Sequence, residues 1–185
     1  MKLTVASISL EGQTIDLTPN LGWVREIVVH ALVGQNPITE GLNGNLEISR
    51  VDENVSLRGY LDVDLRPACD RCLEEFVRPL HVDIHTDLSP KSKITDHDEP
   101  GSGAGEVELT AEDIDFSFYQ GPEIDVSEII REQIVLALPF RFICAEECRG
   151  LCPQCGANLN AGKCGCVPVA PLDSRWEGLR KFKGS

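Results

Sequence analysis

The chain has 185 residues, of which 42% are apolar and 25% charged, as in an ordinary globular protein and unlike a disordered or fibrous one. Its formal net charge of −13 excludes a protein that coats nucleic acid with a generally basic surface. No stretch approaches the roughly 18 apolar residues of a membrane span, and the start, "MKLTVASISLEGQTIDL", lacks the pattern of a secretory signal, so we expect a cytoplasmic protein.

Alternating polar and apolar residues predict that residues 1–88 are mainly β-structure. In "VSLRGYLDVDLR" every second residue is apolar or glycine, which is the pattern of a strand with one buried face. "LEISR" before it is the expected hairpin partner, with Asp52 and Asn54 as turn residues. "LHVDIHTDL" alternates again, so the cysteine pair Cys69 and Cys72 is expected where one strand leads into the next.

The composition changes after these strands. Residues 89–106 are rich in Pro, Gly, Ser and acidic side chains, and they predict a flexible linker because they bury too little apolar surface to become ordered. Residues 107–143 are expected to complete the core with a strand and a helix. The helix is predicted in "DVSEIIREQIVLALP", where Asp125 is the N-cap, Glu128 completes a capping box and Pro139 ends the helix.

Charge is distributed unevenly along the chain. Between Asp83 and Glu128 there are 13 acidic and 2 basic residues, which indicates either a solvated segment or a surface for basic partners. The end of the chain is cationic, and "DSRWEGLRKF" predicts a short helix that docks through Trp176 and Leu179. Residues 144–185 are therefore expected to form a cysteine-rich knuckle followed by a cationic C-terminal helix.

The cysteines carry the clearest chemical signal. Six of the eight lie in "CAEECRGLCPQCGANLNAGKCGC", and the other two form "CDRC". Disulfides do not suit a reducing compartment, and a redox pair is expected at the start of a helix, whereas "CDRC" follows a strand. Two residues between thiolates allow both sulfurs to bind one zinc ion at about 2.3 Å, and the glycine after "CPQC" permits a tight turn. Sites with four thiolates are closed and structural, so a catalytic zinc ion is not expected.

The eight thiols can be divided in two ways. Two zinc sites would use all of them, one with Cys69, Cys72, Cys144 and Cys148, the other with Cys152, Cys155, Cys164 and Cys166. The alternative is a single site with Cys144, Cys148, Cys152 and Cys155. In the first arrangement, one zinc ion would fasten the predicted hairpin to the end of the predicted helix.

Four segments, in order, are "CDRCLEEF", "EIDVSEIIREQIVLALP", "CRGLCPQCGANLN" and "LDSRWEGLRKFK". Together they resemble the YceD family, the large ribosomal RNA subunit accumulation proteins, over roughly residues 40–183. The resemblance implies a cytoplasmic bacterial protein that is needed for accumulation of large-subunit rRNA, through assembly or processing of the subunit. It implies no enzymatic activity and no catalytic residues.

Contact with large-subunit rRNA or a pre-ribosomal particle would fall to basic side chains near the cysteines and at the end of the chain. The candidates are Arg149, Lys163, Arg175, Arg180, Lys181 and Lys183. The net acidity favours basic ribosomal proteins as an alternative set of partners. Neither a membrane nor a small-molecule substrate is expected.

The sequence therefore predicts an α+β fold, in which an antiparallel sheet or small barrel is packed by one main helix and followed by a C-terminal zinc knuckle. The favoured function is that of a non-enzymatic factor in large-subunit ribosome biogenesis. A zinc-ribbon interaction protein acting in transcription is the alternative, and a thiol-disulfide enzyme is a third hypothesis.

Overall fold

A computed structural model describes residues 1–91 and 116–166 of the chain. In chain order the elements are β1 (Lys2–Thr4), a 3₁₀ helix (Val5–Ser7), β2 (Gln13–Asp16), α1 (Gly22–Ala31), β3 (Pro37–Val51), β4 (Asn54–Leu65), β5 (Arg78–Pro90), β6 (Phe116–Tyr119), β7 (Glu123–Asp125) and α2 (Val126–Ala137). The predicted α+β class is confirmed. Neither helix in these ranges has the length and apolar character that a membrane crossing requires.

The main sheet has the strand order β2-β3-β4-β5-β6. Its first four strands are antiparallel, as predicted, but β6 runs parallel to β5. Alternation of side chains does not reveal strand direction, which is why the sequence did not show this parallel pair. Within the described ranges β6 does not pair with β2, so the sheet is open and the predicted alternative of a closed barrel is wrong. Strands β1 and β7 form a separate antiparallel pair.

The hairpin of β3 and β4 is the central part of the sheet. Val51 pairs with Asn54, which leaves Asp52 and Glu53 as a two-residue turn, with Asp52 at a φ of 56°. Asn54 is thus the first residue of the strand and not a turn residue. The predicted buried face of β4 is present and consists of Val55, Leu57, Leu61, Val63 and Leu65.

Two glycines allow β3 and β4 to approach each other closely. A Cβ atom on Gly59 would lie 2.1 Å from the carbonyl oxygen of Asn45, and one on Gly44 would lie 2.3 Å from that of Tyr60. Backbone atoms of a paired strand cannot move aside without breaking ladder hydrogen bonds. The absence of a side chain at both positions is therefore a requirement of this hairpin.

Helix α2 forms where the sequence predicts it. The carboxylate of Asp125 accepts hydrogen bonds from the backbone N–H groups of Ser127 and Glu128, at 3.0 and 3.4 Å, and so caps the first turn. Ile130 and Ile134 are almost fully buried and belong to the hydrophobic core shared with the sheet. The apolar stripe of this helix therefore covers the buried face of the main sheet.

Helix α1 corrects the sequence prediction, which expected residues 1–88 to be mainly β-structure and only one main helix in the core. This second helix lies within that first part of the chain. The residue before the helix, Leu21, offers no side-chain cap, so the sequence carries no clear signal for a helix start. The helix also contains the β-branched Val24, Ile27 and Val28, whose intrinsic helix propensity is low. All three of these side chains are buried in the core. Tertiary packing therefore stabilises this helix more than its local sequence does.

The first residues of the predicted linker belong to the main sheet. Ser89 and Pro90 belong to β5, and the buried Ser89 donates a hydrogen bond of 2.8 Å to the side chain of Asn54. Most of the predicted linker, from residue 92 on, lies outside the described residues. The predicted C-terminal helix with Trp176 and Leu179 lies outside them as well.

Candidate metal centres

The first cysteine pair lies on a tight loop between β4 and β5. The N–H of Cys69 donates to the carbonyl of Glu74 at 2.9 Å, and the N–H of Leu73 donates back to the carbonyl of Cys69 at 2.8 Å. An isolated antiparallel bridge joins Ala68 to Glu75. These bonds hold both cysteines of "CDRC" on one side of a small knuckle.

The loop that contains "CPQC" has the same hydrogen bonds at the same relative positions. The N–H of Cys152 donates to the carbonyl of Ala157 at 2.8 Å, and the N–H of Gly156 donates to the carbonyl of Cys152 at 2.9 Å. A bridge joins Leu151 to Asn158. The two knuckles are thus one local structure that occurs twice in the chain.

The position after the second cysteine of each knuckle has a positive φ. It is 62° for Leu73 and 71° for Gly156. Glycine adopts this conformation freely, but a side chain crowds the backbone there. Because leucine stands at this position in one knuckle and glycine in the other, the sequence analysis did not detect the repeat.

The variant Leu73→Gly is expected to raise the free energy of unfolding by roughly 0.5–1 kcal/mol, since it relieves the crowding and the side chain, 65% exposed, contributes little burial. Urea unfolding would measure the change. The matched control is Gly156→Leu, which introduces the same crowding in the other knuckle and is expected to destabilise the protein. A lower stability of Leu73→Gly would contradict the interpretation.

Four thiols from distant parts of the chain meet at the first knuckle. The Sγ atoms of Cys69 and Cys148 are 3.8 Å apart, those of Cys72 and Cys144 are 3.7 Å apart, and all four lie within 4.8 Å of one another. A disulfide needs a sulfur–sulfur distance of about 2.05 Å. Four sulfurs at about 2.3 Å from a central tetrahedral ion are about 3.8 Å apart, so this group fits a metal ion.

The second knuckle gathers the other four thiols. The Sγ atoms of Cys152, Cys155, Cys164 and Cys166 also lie within 4.8 Å of one another. Within the described ranges the structure therefore forms two groups of four, as in the first arrangement of the sequence analysis, and does not assemble the alternative single site. Each group can hold one metal ion, and the identity of the ion stays a prediction.

Hydrogen bonds to sulfur lower the pKa of some thiols in each group. Burial raises the pKa of Cys69, but backbone N–H groups, including that of Cys144 at 3.4 Å, outweigh it and lower the pKa to about 6. Backbone N–H groups likewise lower the pKa of Cys152 to about 6. Burial and the neighbouring thiols raise the pKa of Cys144 to about 12, and a hydrogen bond with Cys155 and burial do the same for Cys166. A metal ion would therefore displace protons from each group when it binds.

Asn160 is a residue of the first site that the sequence analysis missed. Its side-chain amide donates to the Sγ of Cys148 at 3.4 Å, and this bond is the main cause of a lowered pKa of that thiol. Its side-chain oxygen accepts the backbone N–H of Arg149 at 2.7 Å. The sequence analysis considered only the spacing of the cysteines, and no spacing rule points to a hydrogen bond to sulfur.

Hydrogen bonds join the two knuckles to each other and to the segment that follows α2. Asp70 and Phe142 are joined by two hydrogen bonds. The N–H of Asp70 donates to the carbonyl of Phe142 at 2.8 Å, and the N–H of Phe142 donates to the carboxylate of Asp70 at 2.7 Å. The N–H of Leu151 donates to the carbonyl of Arg71 at 3.0 Å. Gly150, at a φ of 72°, fits beside this contact only because it has no side chain. A Cβ atom at this position would lie 2.9 Å from the same carbonyl oxygen. The two groups of thiols are thus parts of one connected region.

Two of the six predicted phosphate-binding residues lie in the described part of the chain. Arg149 and Lys163 are both exposed, next in sequence to Cys148 and Cys164 respectively. The other four, Arg175, Arg180, Lys181 and Lys183, lie outside the described residues. A role of all six in binding nucleic acid stays a prediction.

The chain was compared with known proteins. A family model described as "Large ribosomal RNA subunit accumulation protein YceD" matches residues 57–183, a range that includes all eight cysteines. An uncharacterized protein of Mycobacterium tuberculosis is 29% identical over 148 residues, which cover 77% of this chain and 62% of that protein.

Two chloroplast proteins match over shorter segments. Both are named "Large ribosomal RNA subunit accumulation protein YCED homolog 1, chloroplastic". The one from Arabidopsis thaliana is 48% identical over 44 residues, 24% of this chain and 14% of that protein. The one from Zea mays is 41% identical over 63 residues, 34% of this chain and 20% of that protein. Each of these matches spans less than two thirds of the relative, and no solved structure matches the chain significantly.

Proposed function

The chain belongs to the YceD family of large ribosomal RNA subunit accumulation proteins, and from this premise we propose that it is a non-enzymatic, cytoplasmic bacterial factor that supports accumulation of large-subunit rRNA. The observation that carries the proposal is the match of the family over residues 57–183. The names of the two chloroplast relatives describe the same role for those proteins. The expected partners are the rRNA or a pre-ribosomal particle.

The metal in this proposal is zinc, with one ion for each group of four thiols. Zinc prefers tetrahedral sites of thiolates, and four protein ligands leave no position for a reacting water molecule. When bound, the ion would supply a rigid cross-link and no reaction chemistry. The chain's own contribution is the pair of knuckles, whose N–H groups stabilise the thiolates and whose loops carry exposed side chains such as Arg149 and Lys163.

The test of this function is the ratio of mature large-subunit to small-subunit rRNA in a strain without the gene. We expect this ratio to fall while the level of nascent rRNA transcript stays constant, because a biogenesis factor acts after synthesis. The variant with Cys152→Ser and Cys155→Ser is expected to show part of the defect, since loss of two thiolates lets the second knuckle unfold. Complementation with the unchanged gene is the control.

Two outcomes would contradict the proposal. An unchanged ratio in the deletion strain would show that rRNA accumulation does not depend on this protein. A parallel fall of the nascent transcript would instead support the alternative of a zinc-ribbon protein acting in transcription.

The cationic end of the chain gives a second prediction within the same function. Replacing Arg175, Arg180, Lys181 and Lys183 with Ala is expected to weaken association with large-subunit particles and to reduce its salt dependence, since each phosphate contact contributes about 0.7–0.9 to the log–log slope. Co-sedimentation at several salt concentrations would measure both effects. Unchanged association at low and high salt would mean that these side chains only increase solubility.

A further inference from the structure

A cleft of about 290 Å³ lies between helix α2 and the edge of the main sheet formed by β5 and β6. It is far from neutral, because four carboxylates are among its lining residues: Glu123, Asp125, Glu128 and Glu132. The aromatic residue Tyr119 of β6 also lines it, on the same face of the sheet as Leu88. The cleft thus combines negative charge with aromatic surface.

Two of the carboxylates form ion pairs within the described part of the chain. Asp125 lies 3.6 Å from the amino group of Met1, and Glu128 pairs with Arg131 one turn along α2. Glu123 and Glu132 form no ion pair with any residue in the ranges 1–91 and 116–166. The cleft therefore keeps a negative charge that a cation could neutralise.

Thr86 is an independent sign of a ligand in the same cleft. It occupies a core-facing position of β5, between the buried Ile84 and Leu88, and is 9% exposed. Thr86 is one of the residues that line the cleft, and its buried hydroxyl has no hydrogen-bond partner in the described part of the chain. A buried hydroxyl without a partner destabilises a protein, and valine would have the same shape without that cost. The hydroxyl is therefore suited to bonding a group that enters the cleft.

We propose that this cleft binds the guanidinium group of an arginine in a basic segment of another protein. A guanidinium carries five N–H donors and no acceptor, so Glu123, Glu132 and the hydroxyl of Thr86 can all accept hydrogen bonds from it. Its flat face stacks on aromatic rings, and Tyr119 provides one among the residues that line the cleft. An RNA phosphate would be repelled by the carboxylates. The proposal concerns a surface separate from the cysteine groups and does not rest on the role in rRNA accumulation.

The test uses the full chain and fluorescein-labelled hexapeptides with two arginines among glycines. Fluorescence anisotropy at about 0.15 M salt is expected to show binding that weakens about tenfold when citrulline, the neutral isostere, replaces arginine. The variant with Glu123→Gln and Glu132→Gln is expected to lose binding by about tenfold as well. The matched control is Glu40→Gln with Glu47→Gln, which removes two exposed charges from β3 and is expected to change binding less than about twofold.

The variant Thr86→Val separates a binding role from a structural one. It is expected to raise the thermal unfolding midpoint, because the unpartnered hydroxyl is gone, and to weaken peptide binding several-fold. A merely structural threonine would not give this combination.

The proposal would be overturned by absence of peptide binding, by equal effects of the two charge variants, or by unchanged binding to Thr86→Val. Full displacement of the peptide by spermidine at the same charge concentration would point to a polyamine and would also overturn it.

Discussion

Replacing Cys69 with Ser is expected to leave the purified protein with about one equivalent of zinc, against an expected two or so for the unchanged protein. Cys69 is fully buried in the first group of thiols, where its Sγ is 3.8 Å from that of Cys148. Without it three thiols remain, and the cross-link between the first knuckle and the segment after α2 is lost. Because structural zinc sites contribute directly to folding, we expect the free energy of unfolding to fall by roughly 3 kcal/mol or more. Elemental analysis and urea unfolding would measure the two effects.

The matched variant is Cys152→Ser, which should remove the other equivalent and leave the first group filled. The double variant should contain almost no zinc. If Cys69→Ser keeps the full metal content, the first group does not bind zinc and the single C-terminal site is the better description. Less than half an equivalent in the unchanged protein, purified without chelators, would end the metal proposal.

The substitution Gly59→Ala is expected to be among the most destabilising single changes in the sheet. Its Cβ atom would lie 2.1 Å from the carbonyl oxygen of Asn45 and 2.9 Å from the Cα of Leu46. Both are backbone atoms of the paired strand β3, so the two strands must separate. We expect a loss of about 3 kcal/mol in the free energy of unfolding, the upper end for an overpacked site, measured by urea unfolding.

Gly41→Ala is the control for this substitution. It lies in the same hairpin, on β3, but a Cβ atom there would meet nothing within 4 Å. Alanine should therefore be neutral or slightly stabilising at that position, because it restricts the unfolded chain. Equal losses in the two variants would show that the close approach of the strands is not the cause.

Local patterns predicted the elements whose stability is local. Helix α2 was predicted because the residues that signal it, the cap Asp125 and the apolar stripe, lie close together in the sequence. Strand β4 was predicted because its buried face repeats every second residue. Helix α1 lacks such a start signal and depends on burial of Val24 and Val28 against distant parts of the chain, which a single sequence does not reveal.

The same division holds for the candidate sites. The knuckle spacing marked the cysteines as candidate metal ligands, but choosing between the two possible groupings requires knowing that Asp70 and Phe142 bring two distant segments together. The unpartnered hydroxyl of Thr86 was equally hidden, because alternation shows only that the residue belongs on the buried face of its strand. What surrounds a buried polar atom depends on the packing of the whole fold.

The two groups of thiols differ in when they can be completed during translation. The second group is confined to residues 152–166, so it is complete as soon as this short stretch has been synthesised. The first group unites Cys69 and Cys72 with Cys144 and Cys148, so its first half must wait while the ribosome adds more than seventy further residues. A chain that stops before Cys144 keeps Cys69 and Cys72 as an open pair of thiols. Filling of the first group therefore reports that synthesis has passed Cys148.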